Sequence, residues 1–492
     1  MLQTISSVYT LETLLLVIIL TWHYALRCGF ISDDHAIIAQ RKDIIPDTEK
    51  HPGKEKYWVK VFNDGVIMYY WNRIMDKLHL RPYPVIWHAL CLGIHLLNCY
   101  LLYLVLIPFL GQQKSIIAVM FWAVNPMLNQ NVVWISGRPY LIALLCALTS
   151  LLCWDLPLIV LPLYTLGVIT NISIALLPLL IKLMHKGWQA NLYILMMFVV
   201  GVPFILWKFH RRFTTSLVLD RENFKFKKRK ITTIMRIYGY YIKCFFLPVT
   251  MGWYHQSGFR YNPKWEKFNV WALVSYILVI WLAFQGWPGW WYILGILPNA
   301  NMFATNSFVQ DRYMYFGSIG LSILCVPLFI KYPVLFIAAI SIYASKAYSY
   351  SRALQNDEAM YRENWRNHPE SDYAVNNLSF FLIQQKRYDE ARVVILRGLE
   401  ICRSNKMLWY NLGVTWAAQG NFTNDECKFR FLKAVDCWKM ALQIEPRWAK
   451  PAEDLKKMIQ ILVDQKVITM DINQAVKDAP AINLPAVGGF TT

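Results

Sequence analysis

The sequence predicts an all-α, polytopic helical membrane protein with a helical-repeat domain at its C-terminal end. Of its 492 residues, 56% are hydrophobic and 16% are charged, whereas a soluble chain carries about 25% charged residues. Apolar runs at 85–110, 141–163 and 271–284 account for this deficit, because a transmembrane helix needs about 20 mostly apolar residues. After Tyr350 the composition changes to a mixed polar and apolar helical pattern, which predicts a separate soluble domain.

The charge and the cysteines exclude several classes of protein. The net charge is +19, and its basic clusters at 211–212 and 227–230 lie beside apolar runs. Such clusters are typical of contact with anionic lipid head groups or a phosphorylated lipid, so we predict membrane lipids and no nucleic acid as partners. The ten cysteines show neither a CxxC pair nor a zinc-type Cys/His spacing. We therefore predict buried thiols and no metal site, and a need for a divalent cation stays open.

The predicted membrane domain covers residues 1–349. A first, uncleaved span at 10–28 has no basic start and no small-residue cleavage site. An extracytoplasmic loop at 29–83 follows, with amphipathic helices expected at the bilayer surface. The remaining apolar runs bring the total to about ten or eleven spans, with breaks expected at Thr170-Asn171 and Lys331-Tyr332-Pro333.

The predicted C-terminal domain covers residues 350–470 and contains two helix pairs. Asn411-Leu412-Gly413, later alanines such as Ala434, and the closing Glu445-Pro446 resemble tetratricopeptide repeats, whose period is about 34 residues. The second copy carries an insertion near 421–429. Residues 471–492, which contain Pro and Gly, are predicted to form a flexible tail.

Polar residues at the ends of apolar runs are the candidate site. Asp33 and Asp34, followed by His35, come directly after the first span. Ionisable groups at membrane depth are costly and are commonly functional, although an aspartate here could also cap the next helix. Arg138 and Arg312 each begin an apolar run, where an arginine either binds a phosphate or reaches towards lipid head groups.

Two histidines lie on one predicted helix. His88 and His95 are seven residues apart, which places them on one face and about 10 Å apart along the axis. That distance is too long for both to bind one metal ion. They could line a cavity or form hydrogen bonds between helices, and both alternatives stay open.

These polar interruptions resemble one known family when they are taken in order. They resemble the transmembrane and tetratricopeptide-repeat-containing O-mannosyltransferases and their bacterial relatives, which are GT-C glycosyltransferases that use a polyprenyl-phosphate sugar. The resemblance covers nearly the whole chain. Its motifs are Phe30-x-x-Asp33-Asp34, Trp87-His88-x6-His95, Asn125-Pro126-x7-Trp134-x-x-Gly137-Arg138 and Asp311-Arg312-x-x-Tyr315.

The resemblance implies a site and a reaction. A monosaccharide would pass from a polyprenyl-phosphate donor to an extracytoplasmic hydroxyl, on a protein serine or threonine presented by the repeats. It implies Asp33 and Asp34 as catalytic base, Arg138 and Arg312 as donor-phosphate ligands, and no cofactor beyond the lipid-linked substrate. The cavity-lining residues would be His35, His88, His95, Gln130 and Tyr315.

The chain departs from the family pattern at four places. Asn125-Pro126 replaces a His-Pro pair, Gln130 stands where a glutamate is usual, and Asp311-Arg312 replaces Glu-Arg. A Lys-Glu pair is missing near Thr170-Asn171. These departures bear on recognition of the donor sugar and of the acceptor.

An alternative class is a non-catalytic, membrane-anchored repeat scaffold for protein–protein interaction. It predicts that function depends on the repeat groove and is indifferent to Asp33 and Asp34. For location, we favour a bacterial inner membrane over the endoplasmic reticulum, with the site and the repeats extracytoplasmic.

Overall fold

The computed structural model describes residues 10–39, 66–185, 188–207, 231–249, 252, 270–300, 309–369 and 371–467. Within these ranges every regular element is helical. The described chain forms two compact units, divided between Glu363 and Asn364. The tail at 471–492, residues 40–65 of the loop predicted at 29–83 and the basic stretch at 208–230 lie outside the described residues.

The N-terminal unit has the helices expected of a membrane protein. In the described ranges, four segments are long and apolar enough to cross a bilayer, and three apolar helices are shorter. Four is fewer than the predicted ten or eleven, because several predicted spans form short helices or interrupted ones. The four segments are Pro84–Leu110, Ile135–Leu152, Ala190–Trp207 and Asp311–Lys331.

The predicted first span illustrates the difference. Its α-helix begins at Leu11, after the side chain of Thr10 accepts a hydrogen bond from the amide of Thr13, and it ends at Trp22. A 3-10 turn, His23–Arg27, then replaces the rest of the expected span. This turn leads the chain directly into the segment that carries Asp33 and Asp34.

Two predicted breaks are confirmed. One helix ends at Thr170 and another ends at Lys331, in each case next to the expected residues. The helices of the N-terminal unit are α1 (Leu11–Trp22), α2 (Val66–Lys77), α3 (Pro84–Leu110), α4 (Gln112–Ala123), α5 (Asn129–Val132), α6 (Arg138–Leu152), α7 (Pro157–Thr170), α8 (Leu177–Met184), α9 (Trp188–Met196), α10 (Ile231–Phe246), α11 (Val270–Ala283), α12 (Trp287–Ile296), α13 (Met314–Lys331) and α14 (Pro333–Ala353).

Close backbone contact joins α12 to α13. A Cβ atom on Gly295 would lie 2.6 Å from the Cα atom of Gly317, and one on Gly320 would lie 2.2 Å from the carbonyl oxygen of Pro288. Small residues allow helices in a membrane to approach this closely. The packing holds the N-terminal end of α13, and with it Arg312, against the neighbouring helices.

The C-terminal unit is a succession of helices, each packed on the next. The N-cap residues Ser371 and Asn405 begin two successive helix pairs and lie 34 positions apart. Between these pairs, the side-chain amide of Asn411 donates to Oδ1 of Asn376 at 3.0 Å. Helix α15 (Asp357–Asn367) crosses the division between units, and the C-terminal unit continues with α16 (Asp372–Gln384), α17 (Tyr388–Ile401), α18 (Lys406–Gln419), α19 (Asp425–Ile444) and α20 (Ala449–Asp464).

The boundary between the membrane domain and the repeat domain, at residues 349 and 350, stays a prediction. Helix α14 runs without a break through position 350 and ends at Ala353.

Candidate functional site

Residues 29–35, here called the acidic loop, follow the first helix, turn at Ser32 and enter a short helical segment that continues as the π-helix His35–Ala39. The amide of Ile31 donates to Oδ2 of Asp34 at 3.3 Å. Ser32 has a φ of 52°, a left-handed conformation that costs about 1–3 kcal/mol in a residue other than glycine and persists only where its surroundings impose it. The turn places Asp33 and Asp34 in different environments.

Asp34 is fully buried. Its Oδ1 accepts hydrogen bonds from the amide of Ser136, at 2.9 Å, and from the Ser136 hydroxyl. Burial raises the pKa of Asp34 from 3.8 to about 6, against the opposing effect of the Ser136 and Ile31 hydrogen bonds and the charge of Arg138. Asp34 is therefore mainly ionised at pH 7, and donors hold both of its oxygens.

Arg138 acts electrostatically on Asp34 from an enclosed position. Its Nη2 donates to Oδ1 of Asn72 at 2.6 Å, and its guanidinium carbon lies 4.9 Å from the ring centre of Trp87 and 5.6 Å from that of Trp71. Only 2% of the residue is exposed. Cation–π contacts with two indole rings offset part of the cost of burying this charge.

Gly137 lets the backbone next to Arg138 lie against a second polar segment, residues 130–131. A Cβ atom on Gly137 would lie 2.0 Å from the carbonyl oxygen of Gln130 and 3.3 Å from the Cα atom of Asn131. Its φ of −79° is ordinary for any residue, so the close approach requires glycine here. The turn before α6 and the helix α5 therefore pack backbone to backbone.

Asp33 has the opposite environment to Asp34, because its side chain is exposed. Partial desolvation raises its pKa above 3.8, while the positive charge of Arg312 acts to lower it. Arg312 is partly exposed and stacks against the ring of Trp134 at 5.1 Å and that of Tyr313 at 5.6 Å. Asp33 is thus an accessible carboxylate, and the accessible guanidinium of Arg312 affects its pKa.

Gln130 supports Arg312 from within the protein. Its Oε1 accepts a hydrogen bond from Nη1 of Arg312 at 3.4 Å, and its Nε2 donates to the carbonyl oxygen of Gly252 at 2.9 Å. The amide of Gly252 donates in turn to Oδ2 of Asp311 at 3.1 Å. Hydrogen bonds therefore link Arg312 through the neutral Gln130 and the backbone of Gly252 to the acidic Asp311.

The histidines differ in their surroundings. Nε2 of His35 lies 2.7 Å from Oδ2 of Asp357, and Nε2 of His88 lies 3.4 Å from the carbonyl oxygen of Gly29, at the start of the acidic loop. His95 instead bonds to the Tyr315 hydroxyl at 2.8 Å, with both side chains buried. His95 and Tyr315 therefore follow the alternative of hydrogen bonds between helices.

Several residues of the site had no role in the sequence-based prediction. These are Ser136, Asn72, Trp71, Gly252 and Asp357. The position of Ser136, two residues before Arg138, was the one available signal.

No metal-binding group of three or more His, Cys, Asp or Glu side chains occurs in the described ranges. The side chains described at this site can accept a proton at a carboxylate and bind an anion at a guanidinium.

No protein-family model, no curated protein and no solved structure matches the chain.

The buried Asp34 predicts a specific dependence of stability on pH. Because its pKa is raised on folding, the native state binds more protons than the unfolded state between about pH 4 and pH 6. Stability from this group is present below that range and is lost as the pH rises through it. A pKa shift of this size corresponds to about 3 kcal/mol in the free energy of unfolding. Asp34→Asn removes this pH-dependent contribution.

Thermal unfolding of the full chain at pH 4.5 and pH 7.5 measures this effect. The melting temperature of Asp34→Asn relative to the native protein should increase from the lower to the higher pH. The exposed Asp155 provides the variant Asp155→Asn as a control for the loss of one carboxylate. A constant difference between Asp34→Asn and the native protein would contradict a raised pKa.

Proposed function

We propose that the chain is a GT-C-type integral-membrane glycosyltransferase that moves a monosaccharide from a polyprenyl phosphate to a hydroxyl of an extracytoplasmic acceptor. The observation that carries this proposal is the electrostatic influence of partly exposed Arg312 on exposed Asp33. It joins the first and last motifs of the resemblance, which are far apart in the sequence. A bacterial inner membrane and an acceptor on a protein remain part of the proposal.

The reaction follows from these two groups. Asp33 accepts the proton of the acceptor hydroxyl while the hydroxyl oxygen attacks C1 of the sugar. The bond from C1 to the phosphate oxygen breaks, and the polyprenyl phosphate leaves with an added negative charge. Arg312 stabilises that charge because its guanidinium can bind two phosphate oxygens at once.

Asp34 and Arg138 would support this reaction indirectly, as buried residues of the same site. Asp34 accepts hydrogen bonds from Ser136 and Ile31, which leaves Asp33 as the carboxylate open to an acceptor. The enclosure of Arg138 by Trp71 and Trp87 favours a positioning role, and phosphate binding by Arg138 stays a prediction.

The C-terminal unit would select the acceptor. The spacing of 34 positions between Ser371 and Asn405 equals the tetratricopeptide period, and the Asn411–Asn376 hydrogen bond joins equivalent helices of successive pairs. Arrays of such repeats bind peptides in a concave groove. A serine- or threonine-containing segment of a protein is the acceptor that this architecture favours.

Reconstituted full-length protein tests the proposal directly. Vesicles would contain the protein and one tritium-labelled polyprenyl-phosphate monosaccharide at a time, from a panel of hexoses, together with a membrane-protein extract as acceptor. We expect one donor to be consumed, with label in the protein fraction and release of polyprenyl phosphate. Consumption of none of the donors, together with partner binding by the C-terminal unit, would support the scaffold alternative.

Arg312→Gln should lower kcat with the active donor by about 10²–10³-fold, the loss typical of removing one group that stabilises developing charge. It should also move the acidic limb of the pH–rate profile to higher pH, because the positive charge that lowers the pKa of Asp33 is gone. The exposed Arg447 provides the control Arg447→Gln. An unchanged acidic limb would show that Asp33 and Arg312 do not interact.

A further inference from the structure

We propose that Asp357 is a positioning residue that holds the acidic loop in its reactive conformation. The proposal rests on the proposed transferase function for its catalytic consequence, and on hydrogen-bond geometry alone for its structural part. Asp357 is 322 positions from His35 in the sequence and belongs to the same compact unit.

The two carboxylate oxygens of Asp357 hold two different groups of the loop. Oδ1 accepts a hydrogen bond from the amide of Ser32 at 2.7 Å. Oδ2 lies 2.7 Å from Nε2 of His35, and the Asp357 side chain is 21% exposed. These contacts lie on either side of Asp33 and Asp34 in the sequence, so one carboxylate fixes both flanks of the acidic pair.

The neighbouring Gln355 holds the loop at its start. The amide of Gly29 donates to the carbonyl oxygen of Gln355 at 3.0 Å. The Tyr24 hydroxyl donates to Oε1 of Gln355, also at 3.0 Å. Residues 355–357, here called the strap, therefore contact the chain before the acidic loop, at the start of the loop and on both sides of the acidic pair.

The conformation of Ser32 explains why the loop needs this strap. Its φ of 52° is unfavourable for a serine, and the amide held by Asp357 is the amide of this same residue. Without the carboxylate, the backbone can relax to a negative φ and rotate the following peptide. Asp33 comes next in the chain, so the direction of its side chain relative to Arg312 would change.

Substitutions at position 357 separate this role from a general effect on folding. Asp357→Ala removes both acceptors, whereas Asp357→Asn keeps one oxygen for the Ser32 amide. Glu358 follows on the same helix and forms its ion pair with Arg362 at 2.8 Å. Glu358→Gln is therefore a matched control that changes a carboxylate next to Asp357.

Hydrogen–deuterium exchange of the full-length protein in nanodiscs tests the structural part without an assay of transfer. We expect Asp357→Ala to accelerate exchange in peptides covering residues 29–35 by about ten-fold, Asp357→Asn to have a smaller effect, and Glu358→Gln to have none. All variants should keep native exchange in α13. Unchanged exchange of the loop in Asp357→Ala would overturn the proposal whatever the activity.

Kinetics with the active donor test the catalytic part. A displaced reacting group of the order of 1 Å costs about 10²-fold in rate, so Asp357→Ala should lower kcat by up to that factor at nearly constant donor KM. Asp357→Asn should recover part of the loss. A raised KM at unchanged kcat would overturn the positioning role, whereas absence of transfer in the native protein, with the exchange result as expected, would count against the transferase proposal alone.

Discussion

Replacing Asp33 by asparagine should strongly slow sugar transfer while leaving the protein folded. Asparagine has nearly the same shape as aspartate but cannot accept the proton of the acceptor hydroxyl. Loss of a general base typically lowers the rate by about 10²–10⁴-fold. The side chain is exposed, so we expect little change in melting temperature. Labelled-donor kinetics and thermal unfolding of the same preparations measure the two effects.

The control for this variant is Asp155→Asn, which removes an exposed carboxylate between α6 and α7. It should transfer sugar at the native rate. Asp34→Asn should lower transfer less than Asp33→Asn, because Asp34 is buried and held by Ser136. Native activity in Asp33→Asn would contradict the assignment of Asp33 as the base.

The second large effect concerns stability, and it arises at Gly137. In Gly137→Ala, the new methyl group would lie 2.0 Å from the carbonyl oxygen of Gln130 and 3.1 Å from its carbonyl carbon. These are backbone atoms and cannot move aside as a flexible side chain would. Overpacking of this kind costs about 1–3 kcal/mol or more, and we expect a value at the upper end. Thermal unfolding in detergent should show a clearly lowered melting temperature.

Gly93 provides a matched glycine in the same unit. It lies within α3, and a Cβ atom there would meet no other atom within 4 Å. Gly93→Ala should leave stability unchanged or raise it by up to about 1 kcal/mol, because alanine has the higher helix propensity. Equal melting temperatures for Gly137→Ala and Gly93→Ala would contradict the close packing of α5 against the turn before α6.

Local patterns in the sequence were sufficient to predict several features of the fold. Asn171 follows the last residue of α7, and Pro333 is the first residue of α14, as their types predict. The membrane class follows from composition, and the described ranges support it with four long apolar segments. The number of spans could not be predicted, because apolar composition is the same in a helix that crosses the bilayer and in a shorter helix buried among others.

The environment of each site residue depends on long-range contacts. Asn72 lies 66 positions before Arg138, and Asp357 lies 322 positions after His35, so no local spacing could reveal either partner. Composition also cannot distinguish Asp33 from Asp34, which become exposed and buried only through the turn at Ser32. His88 and His95 share a helix, yet one bonds to the acidic loop and the other to Tyr315.

The position of the bound donor phosphate tests the roles proposed for Asp33 and Arg312. Cryo-electron microscopy of the full-length protein in nanodiscs, with a non-transferable polyprenyl-phosphate sugar analogue, would locate it. We expect phosphate density within hydrogen-bonding distance of the Arg312 guanidinium, with C1 of the sugar facing Asp33. Phosphate density at a site remote from both Arg312 and the acidic loop would contradict these roles.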